Sequence, residues 1–501
     1  MKGCVPPQPP PSTMAWCSCM SEYGIRVSEW DLVCGRRDAT NKLVICGDQE
    51  LFVAHPLVES WKTRMRTVEF AWFYKDVERG SRFESRVRDA LEKVLDAFPE
   101  AAGRLEKLGD RWGVWCGNQG AGFTTGDAPV DSHLEAQRVG AADAFFDLVD
   151  AAELFDGEPL LRVKVSRFLD GTTFCVAASW AHVLCDAGCF IDLLARAWSD
   201  ADAGRGAPRR TSAGRNLVPR SRLARAPSTA SYALFDPVLN AAGNALTRPS
   251  FAMRALANFV LSADELDVLV RDAHTRTGAA VARSDAVVAH ATFLVGLLCG
   301  GAVDVLHPHC AFDVRAFADE DARDAFCSSA YARPVGPMTT FDDAGAPAAH
   351  AAAARAARDA LTKDGFWDAF DADRAKSDLD TPAVLFHDFA GYDEAAVAFS
   401  DTAPALACLG LPYWRERAAA ASARSAASPV VSFCALRPGA AAGSLDVAFT
   451  VPNGDVDEAA ALLRKLAETG KALHPVLRNK LRSVAENGLT SVAPFSSMSL
   501  L

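Results

Sequence analysis

The 501-residue chain has little positive charge for its length. Its 52 Lys and Arg are outnumbered by 63 Asp and Glu, leaving a net charge of −11. Polyanion binding relies on a basic surface, so this balance argues against a nucleic-acid binder. The sequence also lacks an apolar segment behind its first methionine. Met1–Thr13 is rich in proline without the hydrophobic stretch of a secretory leader, and reads as a disordered, partly extended tail. The fourteen cysteines then read as reduced thiols of a cytosolic protein rather than a disulfide framework. No internal repeat is present, and no segment is a convincing membrane span. The longest apolar run, Ala286–Val303, holds His290, Thr292 and three glycines and begins behind Ser284, a good N-cap, so it reads as a buried core helix. The closing Ser499-Leu500-Leu501 lacks the basic middle residue of a peroxisomal address.

What is present suits a globular protein. Half of the residues are hydrophobic and 23% are charged, and the length exceeds one hydrophobic core, so two domains are expected. Thr67–Tyr74 reads as a strand, followed by a helix from about Phe83 to Ala97 that ends before Pro99, and by a strand at Trp112–Cys116. Between about 201 and 250 the composition shifts. Arg205, Arg209, Arg210, Arg215, Arg220, Arg222 and Arg225 occur there with no acidic residue between them, among Pro, Ser, Gly and Ala, as in a linker. A second half follows with a strand ending at Leu261 and a helix capped by Ser262. Beyond these come the Ala286–Val303 helix, an Ala-rich helix near Ala348–Thr362, strands at Val430–Leu436 and Ser444–Val451, and a helix over Asp455–Glu468.

The most informative stretch is Ser179–Gly188, with His182 and, four residues on, Asp186. Leu161, Val163 and Val165 alternate with Arg162, Lys164 and Ser166 as in a half-buried strand, and Asp170-Gly171 marks a turn. Phe174–Ala178 is apolar without alternation, as a strand covered on both faces would be. Phe190, Leu193, Leu194, Ala197 and Trp198 then fall at helical spacing. A histidine at the mouth of a buried strand suits general-base work near neutral pH. Taken alone, a His-x-x-x-Asp spacing fits a satisfied core or loop histidine better than a catalytic one. His307-x-His309-Cys310 has metal-ligand residue types, but no second cluster accompanies it, and Cys17-x-Cys19 and Cys185-x-x-x-Cys189 share that weakness, so no metal site is assigned.

In this order the pieces resemble the BAHD acyltransferases, which move acyl groups from coenzyme A thioesters onto alcohols or amines. His182–Asp186-Ala187 is similar to the family's HxxxD[GA] signature, and Ala97–Leu105 to its hFPLAGRL segment. Val27–Val33 resembles the opening S-x-x-D strand, Asn118–Phe123 the N-x-G-x-x-F segment, Asp313-Val314-Arg315 the downstream D-x-R, and Leu445–Pro452 the late G-x-x-V-x-x-x-L-P strand. The family's DFGWG falls on Ala398–Thr402, where only Phe399 survives, and its T-S-W falls on His387-Asp388-Phe389.

The resemblance implies an α/β fold of two chloramphenicol-acetyltransferase-like domains, each a mixed sheet with flanking helices, joined by a crossover loop. The expected division is a tail (1–26), an N-terminal domain (27–200), the crossover (201–250), a C-terminal domain (251–485) and a closing tail (486–501). It further implies His182 as catalytic base, acyl-CoA as co-substrate with no permanently bound cofactor, and a small-molecule alcohol or amine as acceptor, in a monomeric cytoplasmic enzyme. Triad logic would have Asp186 orient the imidazole. The family implies instead a structural salt bridge from Asp186 to Arg315, which is the preferred reading. His387 and Phe389 are expected at the pocket wall, His387 as a substitute oxyanion donor, and Arg209 and Arg210 as candidates for the coenzyme A phosphates. Two rivals stand beside this. Enzymes with HHxxxDG carry a second histidine where Ala181 stands here, and a non-catalytic relative would only bind a ligand.

Overall fold

The computed structural model describes residues 31–34, 36, 42–45, 67–108, 111–128, 143–149, 153–206, 255–300, 302–317, 324–327, 330–361, 365–369, 382–392, 397–415, 430–452 and 455–492. The N-terminal tail with Cys17 and Cys19, the start of the S-x-x-D strand, and Arg209 and Arg210 of the crossover lie outside these residues. Among those described, sixteen strands, numbered in chain order, form three sheets.

The first sheet runs β1 (Asp31–Val33), β6 (Ala121–Asp127), β7 (Leu161–Arg167), β8 (Phe174–Ala181), β3 (Thr67–Tyr74) and β13 (Pro404–Leu409). It is mixed: β6 and β7 are parallel, the other neighbours antiparallel. Every residue of β8 is buried, the reason its sequence shows no alternation. Helix α1 (Phe83–Leu95) turns Phe83, Val87, Ala90, Leu91 and Val94 inward at helical spacing. Helix α2 lies beside it, made of Ala187–Cys189, a π segment Phe190–Ala195 and Arg196–Asp202. The Trp198 indole N–H donates to Val87 O at 2.8 Å and Arg86 grips Asp202 at 2.9 Å, joining the two helices.

The second sheet, also mixed, runs β11 (Ala330–Pro334), β10 (His307–Asp313), β12 (Ala383–Asp388), β14 (Val430–Pro438), β15 (Leu445–Thr450), β9 (Ala255–Leu261) and β16 (Leu489–Ser491). Its helices are α3 (Ala263–Thr277), α4 (Arg283–Leu298), α5 (Ala346–Asp359), α6 (Val456–Thr469) and α7 (Pro475–Asn487). Ser262 caps α3 with a full capping box to Glu265, as its sequence indicates. The apolar run expected at Ala286–Val303 is helix α4, buried nearly all round, but it starts earlier and ends sooner. Its N-cap is Ala282, which places Ser284 inside the first turn, and the chain leaves the helix at Cys299 ahead of Gly300, whose φ is +60°. Among the described residues no helix is long and apolar enough to cross a membrane.

The small third sheet, β2 (Lys42–Ile45), β5 (Arg111–Cys116) and β4 (Arg104–Leu108), explains two of the sequence segments. A Cβ on Gly103 would lie 2.6 Å from Val114 Cγ1 and 2.7 Å from Trp115 O, so only glycine fits before Arg104. Arg104 in turn donates to Gly120 O at 2.7 Å and Gln119 O at 3.1 Å, locking the Ala-Gly-Arg-Leu and Asn-x-Gly segments together.

One connection departs from a simple two-halves reading. Strand β13 comes from the second half of the chain yet pairs with β3 in the first sheet, Ala407 opposite Trp72 and Cys408 opposite Ala71. Just before it, Phe399 is fully buried against Tyr74, Phe83 and Trp198, with ring centroids 5.8, 6.3 and 5.2 Å away. The first core therefore includes Phe399, Leu409 and Trp414 alongside residues of the first half.

Candidate active site

The end of β8 builds the site. After Ala181 the chain turns, with Leu184 N–H donating to Ala181 O at 2.8 Å. The Trp180 indole donates to Cys185 O at 2.9 Å across the turn and stacks on Phe190, centroids 3.9 Å apart. His182 is thereby held on a short rigid loop, 5% exposed, and it lines a cavity of about 1170 Å³ between the two large sheets. Asp186 closes the loop as N-cap of α2, its Oδ1 accepting from Cys189 N–H at 2.8 Å.

Across the cavity stand the ends of β10, β12 and β14. His387 and Phe389 both line it, so the segment aligned with T-S-W does face His182. The His387 ring lies 6.1 Å from Phe389 and 6.1 Å from Tyr413. The Ala398–Thr402 segment is not a wall of this cavity. It is a tight turn with Ser400 and Asp401 at positive φ, tied to α2 by hydrogen bonds between Ser199 Oγ and Ala398 and from Ser400 N–H to Asp202.

Arg315 sits at the foot of the His182 loop and is almost wholly buried. Its guanidinium holds Asp313 at 2.6 Å and Asp192, on α2, at 3.3 Å. Burial alone would lower its pKa, but Cys189 and the charges of Asp313 and Asp186 outweigh that and raise it. Arg315 thus feels the charge of Asp186 and also pairs directly with Asp313 and Asp192. The Asp of D-x-R is itself a partner of the Arg, and this local pairing was not apparent from the spacing.

A second buried ion cluster lies under the other wall. Arg358 of α5 reaches Asp285 at 2.6 Å and Asp388 at 3.7 Å, contacts Cys310 Sγ at 3.4 Å, and lies over the Phe312 ring at 5.4 Å. Burial raises the pKa of Asp285 and of Asp388, with Arg358 opposing it in both, and burial pushes Cys310 up to about 12. Cys310 is therefore a core thiol beside an arginine. Neighbouring His309 turns its Nδ1 to His307 O at 3.0 Å, and among the described residues no group of three or more His, Cys, Asp or Glu is placed to hold a metal ion. The lip of the cavity is Pro438–Leu445, to which Arg283 donates at Gly443 O, 3.1 Å.

Sequence reasoning missed Asp192, Arg358 and Tyr392. Only Tyr392 left a trace, three residues beyond Phe389 in the segment already aligned with the family.

Comparison with known proteins agrees with this geometry. Residues 61–284, the segment carrying His182 and Asp186, match the profile described as the Transferase family. The BAHD acyltransferase BIA1 of Arabidopsis thaliana is 30% identical over 122 residues, 24% of this chain and 27% of that protein. By both comparisons this segment of the chain is similar to the BAHD acyltransferases. The match spans about a quarter of the length of that curated BAHD relative. Among solved structures, the fold of this chain is similar to that of vinorine synthase, with 14% identity, a TM-score of 0.53, and coverage of 84% of this chain and 94% of that one. It is also similar to F. graminearum TRI101, crystallised with coenzyme A and deoxynivalenol, with 11% identity, a TM-score of 0.57, and coverage of 90% and 99%. At such identities the likeness establishes the fold, that of two mixed-sheet, chloramphenicol-acetyltransferase-like units.

Proposed function

We propose that this chain transfers an acyl group from a coenzyme A thioester to a hydroxyl of a small molecule, with His182 as general base. The observation that carries the proposal is a buried imidazole, on the segment matched by the family profile, facing a cavity lined from the opposite side by His387. About 1170 Å³ exceeds the usual range of a single small-ligand pocket and leaves room for two reactants to meet.

In this reaction the acceptor oxygen attacks the thioester carbonyl carbon as its proton passes to the His182 imidazole. The carbon–oxygen bond forms and a tetrahedral oxyanion develops, which a donor on the far wall, His387, would stabilise. The carbon–sulfur bond then breaks and the proton returns to the departing thiolate. No acyl-enzyme is needed when both substrates are held at once. Asp186 serves as helix cap and as part of the charged group around Arg315, a structural rather than relay role. Arg209 and Arg210 of the crossover are the candidates for contact with the coenzyme A phosphates.

A second reading has one observation in its favour. Asp186, Asp192, Asp313 and Asp388 line the cavity against Arg283 and Arg358, an acidic balance that favours a cationic amine as acceptor.

The test is thiol release from acetyl-, malonyl-, benzoyl- and coumaroyl-CoA with a panel of alcohols and amines. Turnover with some pair, lowered by ~10²–10⁴-fold in His182→Ala, is the expected result. No turnover with any pair, or a His182→Ala protein as active as the parent, would overturn it.

A further inference from the structure

Gly188 stands two residues past Asp186, in the first turn of α2. A Cβ there would lie 2.5 Å from Tyr392 Cζ and closer still to the hydroxyl, so the phenol occupies the space a side chain would need. Tyr392 comes from the opposite wall, on the turn after β12, where its N–H donates to Phe389 O at 2.9 Å. Its hydroxyl donates to Asp313 Oδ2 at 3.3 Å, Asp313 holds Arg315, and Arg315 holds Asp192, four residues beyond Gly188. These contacts close a ring from the His182 loop through the second sheet and back to α2. Tyr392 and Gly188 both line the cavity.

We infer that Tyr392 is a positioning residue, which sets the separation between the His182 loop and the His387 wall by seating its phenol on Gly188. A side chain at Gly188 would drive the two walls apart, and loss of the phenol would let the loop move inward or tilt. The hydroxyl stays protonated, because burial, followed by the charges of Asp313 and Asp186, raises its pKa, and it therefore remains a donor to Asp313 at any ordinary pH. Displacements of about 1 Å at a reacting group cost on the order of 10²-fold in rate.

This inference rests on the acyl-transfer reading for its kinetic consequence, and its test has one arm that does not. Gly188→Ala, Tyr392→Ala, Tyr392→Phe and the Gly188→Ala/Tyr392→Ala double variant are compared. Without any substrate, the rate at which diethylpyrocarbonate modifies His182 is followed by mass spectrometry, with exposed His274 as internal control. Tyr392→Ala should change the His182 rate several-fold and leave His274 unaltered, while Tyr392→Phe should stay near the parent. With the substrate pair found above, Gly188→Ala should lower kcat by about 10²-fold, and the double variant should recover to near Tyr392→Ala alone. An unchanged His182 rate in Tyr392→Ala, or simply additive losses in the double variant, would overturn the inference. Should no substrate pair turn over, the acyl-transfer reading falls while the modification rates still decide the positioning role.

Discussion

His182 and His290 are equally buried, each 5% exposed, but it is His182 that lines the large cavity. His290 lies in the middle of α4, its ring 5.9 Å from that of His474, and its Nδ1 has no hydrogen-bond partner among the described residues. Burial, aided by His474 and opposed by Asp272, lowers its pKa to about 3. An unfolded histidine titrates near 6.5, so below that pH the unfolded chain takes a proton the folded one refuses. Stability contributed by the neutral ring is complete above pH ~6.5 and falls away as the pH drops towards ~3. Half-buried His474 shifts in the same direction, chiefly through burial. Chemical unfolding from pH 7 to pH 4 should show a loss on the order of a few kcal/mol, and His290→Leu should flatten much of that slope. An equal slope in both proteins would refute the assignment. From sequence, these histidines differ only in their settings: His182 follows a strand and His290 sits inside an apolar run. That distinction was legible. The Tyr392 contact was not, since Gly188 and Tyr392 are brought together by the fold and neither pattern nor spacing encodes the meeting.

At the scale of elements, the strands were read best. Phe174–Ala178 and Leu161–Ser166 each became the strand their patterns indicate, but β7 is not half-buried as its alternation indicates: Arg162 and Ser166 on its polar face are buried too. Helix ends were read less well, as α4 shows, where a capping residue type lay within the first turn. The π segment in α2 was invisible, because an i→i+5 turn leaves no distinct spacing over six residues. The Ala398–Thr402 segment kept one aromatic of five expected residues, and the structure gives the reason that one persists. Phe399 plugs a pocket of Tyr74, Phe83 and Trp198 that belongs to the other half of the chain. Phe399→Ala should cost ~3–5 kcal/mol in unfolding free energy, measured in urea, because it empties a fully buried ring site. A cost below ~1 kcal/mol would mean that the segment merely rests on the core.

For the whole molecule, composition and length indicated two units, and the structure supplies two large mixed sheets with a cavity between them. The contribution of β13 to the first sheet lay beyond sequence reading, since Pro404–Leu409 has an ordinary strand pattern that names no partner. Because β13 and Phe399 tie the second half into the first core, the two halves should unfold together. Calorimetry should give one transition, and fluorescence and circular dichroism midpoints should coincide. Two separated transitions would show that the shared strand does not couple them.

The same strand bears on how the protein is made. β3 is covered on one side by β8, and among the described residues its other edge pairs with β13 alone. At about 5–20 residues per second, a ribosome that has finished β8 needs on the order of 10–45 s to reach Leu409. For that interval the nascent chain carries an open edge of Val68, Phe70, Trp72 and Tyr74, the kind of surface on which chains adhere to one another. Synthesis of this protein should therefore depend on chaperone cover, and a fragment ending near residue 206 should aggregate unless a β13 peptide is supplied.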